Sequence, residues 1–367
     1  MPAETMTPKE RWLAACRMQP VDRLPFWPKL DAAYPRAHAA PFCEMELDEI
    51  HDWIGSDQHT GIGGVTKEIR SATSVKRTDD GHVRYTRYIA PAGSLVMEEH
   101  FDEASQSWHP VRFPVTTPDD IGIMIRMYED IRVERDEERL RRAREQAERT
   151  GAKALTKDWV TTSGLMRWIE WIAGVENGHY FLADHEDEVV ALFEAIHRVN
   201  LDKIDITYAE SPADVLYLGE NTSTTLASPD QYGRYCFPHI AEYARRAREA
   251  DRLLVLHMCG CLKALLPDLA AAGAAAFEAF TSPTLGDTTL FDGRSACPDV
   301  CLIGGTNAML WTKSAETIIA QIEADLDVLP HHRGIVVTSA GVMPPLCKPE
   351  TIQSVCEWVK AYPARCN

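Results

Sequence analysis

A (β/α)8 barrel is the fold class this sequence predicts, on three observations. Short apolar runs recur through the second half of the chain, helical stretches fall between them, and 367 residues suit one large α/β domain. The runs are residues 154–156, 215–218, 253–256, 275–277, 300–303 and 335–338, with helices expected between them, as at 229–250 and 315–326. Adding a first strand at 24–27 gives seven or eight units. Strand–helix alternation repeated this often means a parallel sheet, and that count favours a closed barrel over an open sheet. A single barrel domain over 1–367 is expected.

The elements follow in order. Thr7 can cap a helix, Pro8 suits its first position and Glu10 completes a capping box, so a helix should run to about Met18. The turn Gln19-Pro20-Val21-Asp22-Arg23 then leads into the first strand. Residues 66–114 read differently, as an inserted antiparallel β-hairpin region. Turns at Asp79-Asp80-Gly81 and Ala90-Pro91-Ala92-Gly93 bracket a strand in which Arg84, Thr86 and Tyr88 share one face and Val83, Tyr85, Arg87 and Ile89 the other. From Tyr128 to Thr150 the chain is dense in Glu and Arg, a pattern that suits a solvated helix.

Composition narrows the function classes. A net charge of -17 argues against a nucleic-acid partner, because phosphate contacts need clustered Lys and Arg. No run of eighteen apolar residues is present to span a membrane. The opening Met1-Pro2-Ala3-Glu4-Thr5 lacks a basic region followed by an apolar stretch, and ten cysteines without a secretion signal read as reduced thiols. A cytoplasmic protein acting on a small molecule is expected.

The stretch most informative about chemistry is Leu256-His257-Met258-Cys259-Gly260-Cys261. It lies where a buried strand ends, and alternate residues of a strand face one side, so His257 and Cys259 can point together at one metal. Zinc accepts imidazole and thiolate together, and a catalytic zinc uses three protein ligands plus an open position. The same spacing also suits a core histidine beside a buried thiol. Acidic residues at strand ends complete the candidate lining: Glu220 with Asn221 beside it, Glu278, Asp57 and Asp158. Gly61-Ile62-Gly63-Gly64 lacks the context of a dinucleotide fingerprint, and Cys297 and Cys301 should face different surroundings.

With these residues in place, the chain resembles the uroporphyrinogen decarboxylase superfamily, and more closely its cobalamin-dependent methyltransferase branch. The resemblance runs from Thr7-Pro8-Lys9-Glu10-Arg11 and Pro20-Val21-Asp22-Arg23-Leu24-Pro25 through Ser228-Pro229-Asp230-Gln231-Tyr232, His257-Met258-Cys259-Gly260 and Leu302-Ile303-Gly304-Gly305 to Lys348-Pro349-Glu350-Thr351-Ile352. It implies a zinc-dependent enzyme that moves a methyl group between a corrinoid, as methylcobalamin or on a partner corrinoid protein, and a small donor or acceptor. A thiol, an amine or a methyl ether could serve, in either direction. It also implies an alternative, a cofactor-independent decarboxylase in which Asp57 resembles the catalytic aspartate in placement. A third alternative is a catalytically silent binding barrel.

Two departures from the family pattern matter. Decarboxylases carry an arginine-rich segment after the Pro-x-Asp-Arg turn, whereas this chain reads Trp27-Pro28-Lys29-Leu30-Asp31-Ala32-Ala33-Tyr34, with no arginine before Arg36. A polycarboxylate substrate would lack its bidentate partners. Thiol-methylating relatives place a cysteine just before a proline pair near the C-terminus. Here Val342-Met343 precede Pro344-Pro345, and the third zinc ligand falls to Glu278, one strand away, or to Cys347. Glu278 is the expected choice, because neighbouring strands lie ~5 Å apart.

Overall fold

The computed structural model describes residues 4–365, so the opening Met1-Pro2-Ala3 lies outside the described residues. Eight parallel strands form one sheet, in the order Phe26–Trp27, Ile335–Thr338, Cys301–Gly305, Ala276–Phe280, Leu254–His257, Val215–Gly219, Leu155–Thr161 and His59–Gly61. The two outer strands of that order meet through Asp57. Its N–H donates to the Phe26 carbonyl at 2.8 Å, and its carboxylate accepts the Phe26 N–H at 3.1 Å. The sheet is thus a closed (β/α)8 barrel.

Strands covered on both faces need apolar side chains on both, which is why most of them appear as continuous apolar runs. One set, including Tyr217, Val255, Ala276 and Ile303, fills the barrel interior. The alternate set, including Leu216, Leu256, Phe277 and Leu302, packs against the surrounding helices. The strand at His59–Gly61 has no such run. It is three residues long and polar, and it was not among the expected strands.

The first helix spans Pro8–Cys16 with its capping box formed by Thr7 and Glu10. Trp12 on this helix is fully buried with the interior cluster, and its indole N–H donates to the Asp57 carbonyl at 2.8 Å. It plugs the end of the barrel where the strands begin. The expected helix at 229–250 is two helices, Pro229–Tyr235 and Phe237–Glu249. Pro238 opens the second, since it has no N–H to continue the first.

The antiparallel region is a four-stranded sheet of Ser74–Asp79, Val83–Ala90, Gly93–Asp102 and Ser107–Arg112. The segment read as one solvated helix from Tyr128 instead holds the end of a helix, Pro118–Glu129, then a strand, Arg132–Arg135, then the charged helix Glu137–Thr150. That strand pairs antiparallel with Thr66–Ile69, a tertiary partnership that overrides the local helical charge pattern. Cys297 packs outside the strands and Cys301 inside them, in different surroundings.

Candidate functional site

The end of the barrel where strands terminate carries a cluster of charged and polar groups. His257 closes its strand on the inward face, two residues beyond the interior Val255, and stands in register with Glu278 on the next strand. The two side chains touch through His257 Nδ1 and Glu278 Oε2. Lys29, just past the first barrel strand, donates from Nζ to Glu278 Oε1 at 3.1 Å. Burial by itself would raise the Glu278 carboxyl. The Lys29 and His257 charges, with Lys157 behind them, instead hold it far below the usual carboxylate range.

Two aromatic walls flank this group. Trp159 meets the His257 ring edge-on at 5.7 Å between centroids, and the Lys157 ammonium lies 4.9 Å from the Trp159 ring and 5.0 Å from that of Tyr217. Burial lowers the Lys157 amine to about 8. Deeper in the barrel the His59 ring lies tilted by 42° against Trp27, 3.7 Å between centroids, with both of its ring nitrogens unpaired.

Cys259 follows in the loop after His257. Its thiol donates to the Asn221 side-chain oxygen at 3.7 Å, and the Asn221 amide donates to Glu170 Oε2 at 3.3 Å. Glu170 had no signal in the sequence. It sits in a π-helical turn, Trp168–Ile172, that folds over the mouth, and such turns gather at functional sites. Burial raises its carboxyl to about 7, and its Oε1 is buried without a partner. Burial also raises the Cys259 thiol.

Non-glycine residues in left-handed backbone also collect at this end. Asn221 has φ 44°, Ala279 φ 64° and Ala340 φ 61°, each at or just past the end of a barrel strand. Such strain persists only where the surroundings enforce it. Gly260, at φ 100°, follows Cys259, and a Cβ there would meet Ser223 Oγ at 2.6 Å. The His-x-Cys loop therefore needs glycine at that position.

The other expected site residues lie elsewhere. Asp57 is at the opposite end, at the start of its strand. Its carboxylate is fully buried and bonded by Arg11 at 2.5 Å and Arg23 at 2.6 Å. Every acceptor position is occupied, so this carboxylate seals the seam. Glu220 is one residue beyond the inward-facing Gly219, and the period of two turns it outward, under the helices. There it accepts the Ser163 N–H at 2.7 Å beside the Cys236 thiol, and burial raises it to about 7. It does not line the mouth. Cys347 is buried, its sulfur near the Lys348 carbonyl, and burial pushes its thiol up to about 12.

His257, Cys259 and Glu278 supply imidazole, thiol and carboxylate, a donor set that fits zinc. Among the described residues no three His, Cys, Asp or Glu are gathered close enough to hold a metal ion. His257 and Glu278 are together, while Cys259 is turned to Asn221 and Lys29 takes the other Glu278 oxygen.

Fold and site define a parallel (β/α)8 barrel with a cluster of charged and polar side chains at the mouth formed by the strand ends. Residues 172–362, just over half of the chain, match the Uroporphyrinogen decarboxylase (URO-D) family, and the chain belongs to it. Among solved structures it is similar in fold to a methyltransferase from Methanosarcina mazei, at a TM-score of 0.59 and 13% identity, covering 97% of this chain and 99% of that one. A B12-independent methionine synthase from Shewanella sp. W3-18-1, in complex with selenomethionine, aligns at a TM-score of 0.45 and 11% identity over 85% of each chain. Against curated proteins the chain finds no match. No helix among the described residues is long and apolar enough to cross a membrane.

Proposed function

We propose that this chain is a methyl-transfer enzyme whose reaction takes place beside His257, Cys259 and Glu278. One observation carries the reading: an imidazole and a carboxylate touch at the mouth of the barrel, with a thiol in the loop two residues beyond the imidazole, on a fold shared with a methyltransferase. In this reading His257, Cys259 and Glu278 would hold zinc. Bound zinc would supply Lewis acidity, activating a thiol or polarising a methyl ether oxygen. The methyl carrier would be a corrinoid, free or on a partner protein.

The remaining residues have roles of their own. Lys29 compensates the buried Glu278 charge. Glu170, near 7, can hold or release a proton close to Cys259 through Asn221. Trp159 covers one side of His257.

Decarboxylation of a porphyrinogen is disfavoured by two observations. Asp57 is locked by arginines at the wrong end, and Lys29 is the sole cation between Arg23 and Arg36. The test is metal analysis of the purified protein, followed by methyl transfer to or from free cobalamin. About one zinc per chain is expected, with both zinc and transfer lost in His257→Ala. Fully active metal-free protein, or a His257→Ala variant that keeps both, overturns the reading.

A further inference from the structure

A cavity of about 740 Å³ separates the antiparallel sheet from the barrel mouth. Its roof is one face of that sheet. Arg77, Thr86 and Met97 are cross-strand neighbours there, and Tyr88 and Glu99 lie two residues further along their strands. Its floor includes Trp159, Thr161, Thr162 and Gly219 from the barrel strands. Trp159 is therefore a shared wall, bordering the cavity and meeting the His257 ring. Its side of the mouth is open, for Trp159 is 46% exposed.

The charges in this cavity do not cancel. Glu68 is taken by Arg70 at 3.0 Å and Lys203 at 2.8 Å, and Glu99 lies 3.9 Å from Arg84. Arg77 and Arg167 remain. Among the described residues neither pairs with a carboxylate. Arg77 donates to Thr86 Oγ1 at 3.3 Å, and Arg167 reaches the Tyr128 hydroxyl at 3.5 Å. Both lie close enough to the Tyr88 hydroxyl to influence its ionisation. Two guanidiniums of exposed residues bordering a concave, aromatic-walled space, with no carboxylate partner among the described residues, make a receptor for an oxyanion.

We propose that this cavity binds an aromatic carboxylate. Arg77 and Arg167 hold the carboxylate, and Tyr88, Trp159 and Trp171 pack against the flat body. The ligand's far end then lies against Trp159, whose ring stands between it and His257; a role as substrate of the proposed methyl-transfer site rests on the proposed function. Binding itself needs neither metal nor methyl carrier, so the two readings can fail separately.

The experiment uses two fluorescent probes of matched skeleton, the anionic anilinonaphthalene sulfonate and the uncharged phenylnaphthylamine. The intact protein should bind the anionic probe saturably and at least about tenfold more tightly. 2-Naphthoate should displace it, and 2-naphthamide should not. Arg167→Ala and Arg77→Ala should each weaken the anionic probe about tenfold while leaving the neutral probe unchanged. Arg167→Lys should recover part of the loss, and Arg126→Ala, on an exposed helix face, should change nothing. Melting temperatures of all variants separate lost binding from lost folding. Equal affinity for the two probes, displacement by the amide, or anionic binding indifferent to both arginines in folded variants overturns the proposal.

Discussion

The two ends of the barrel each bury a carboxylate between cations, yet they are built on opposite terms. Where the strands begin, Asp57 accepts from Arg11, Arg23 and the Phe26 N–H, and Asp22 takes Arg11 as well. Where the strands end, Glu278 meets Lys29 and His257, but Glu170 Oε1 has no partner. A saturated cluster holds structure together. One with spare hydrogen-bonding capacity is able to receive a ligand or a proton.

That contrast can be broken most forcefully at Asp57. Asp57→Ala strands two buried guanidiniums and should cost about 3–5 kcal/mol of stability, measured by denaturant unfolding. Activity per folded molecule should survive. Unchanged stability with abolished activity would return Asp57 to a catalytic role. At the other end the effects should reverse. Glu278→Ala should reduce methyl transfer by about 100-fold or more while shifting stability far less than Asp57→Ala.

Zinc retention sharpens the difference further. Glu278→Ala should lower zinc affinity, whereas Cys347→Ala should leave it unchanged, because that sulfur is buried beside the Lys348 carbonyl. Loss of zinc in Cys347→Ala alone would make the thiol the third ligand. The smallest effect concerns pH. The Glu220 carboxyl is raised from 4.5 to about 7, so the folded protein binds its proton more tightly than the unfolded chain does. Stability from this group is complete below the unfolded value and falls as pH rises from about 4.5 to 7, by at most ~3 kcal/mol. Glu220→Gln should flatten that slope in urea midpoints measured across the window, and an unaltered slope would show that Glu220 is ionised throughout.

The legible parts of this molecule were those written in local pattern. Seven barrel strands announced themselves as apolar runs, while His59–Gly61 is polar and short and depends on its neighbour Leu155–Thr161 for its existence. The inward direction of His257 followed from the period of two. The same count, carried past Gly219, turns Glu220 away from the mouth. Glu170, Lys29 and Lys157 carry no motif. They reach the site because a π-helical turn, the end of the first strand and a strand interior converge there, and no spacing along the chain encodes that meeting. Arg77 and Arg167 stand on separate elements and become a pair only when the sheet folds over the barrel.

The seam at Phe26–Trp27 also sets a timetable for synthesis. This first strand pairs with Ile335–Thr338, and the Lys29 backbone N–H bonds to Ser339, 310 residues downstream. A ribosome adding roughly 5–20 residues per second needs tens of seconds to bridge that interval. Throughout it, Trp12 and Trp27 await the staves that will cover them. Lys29 is anchored late for the same reason, so the mouth of the barrel gains its full charge balance only on a nearly finished chain.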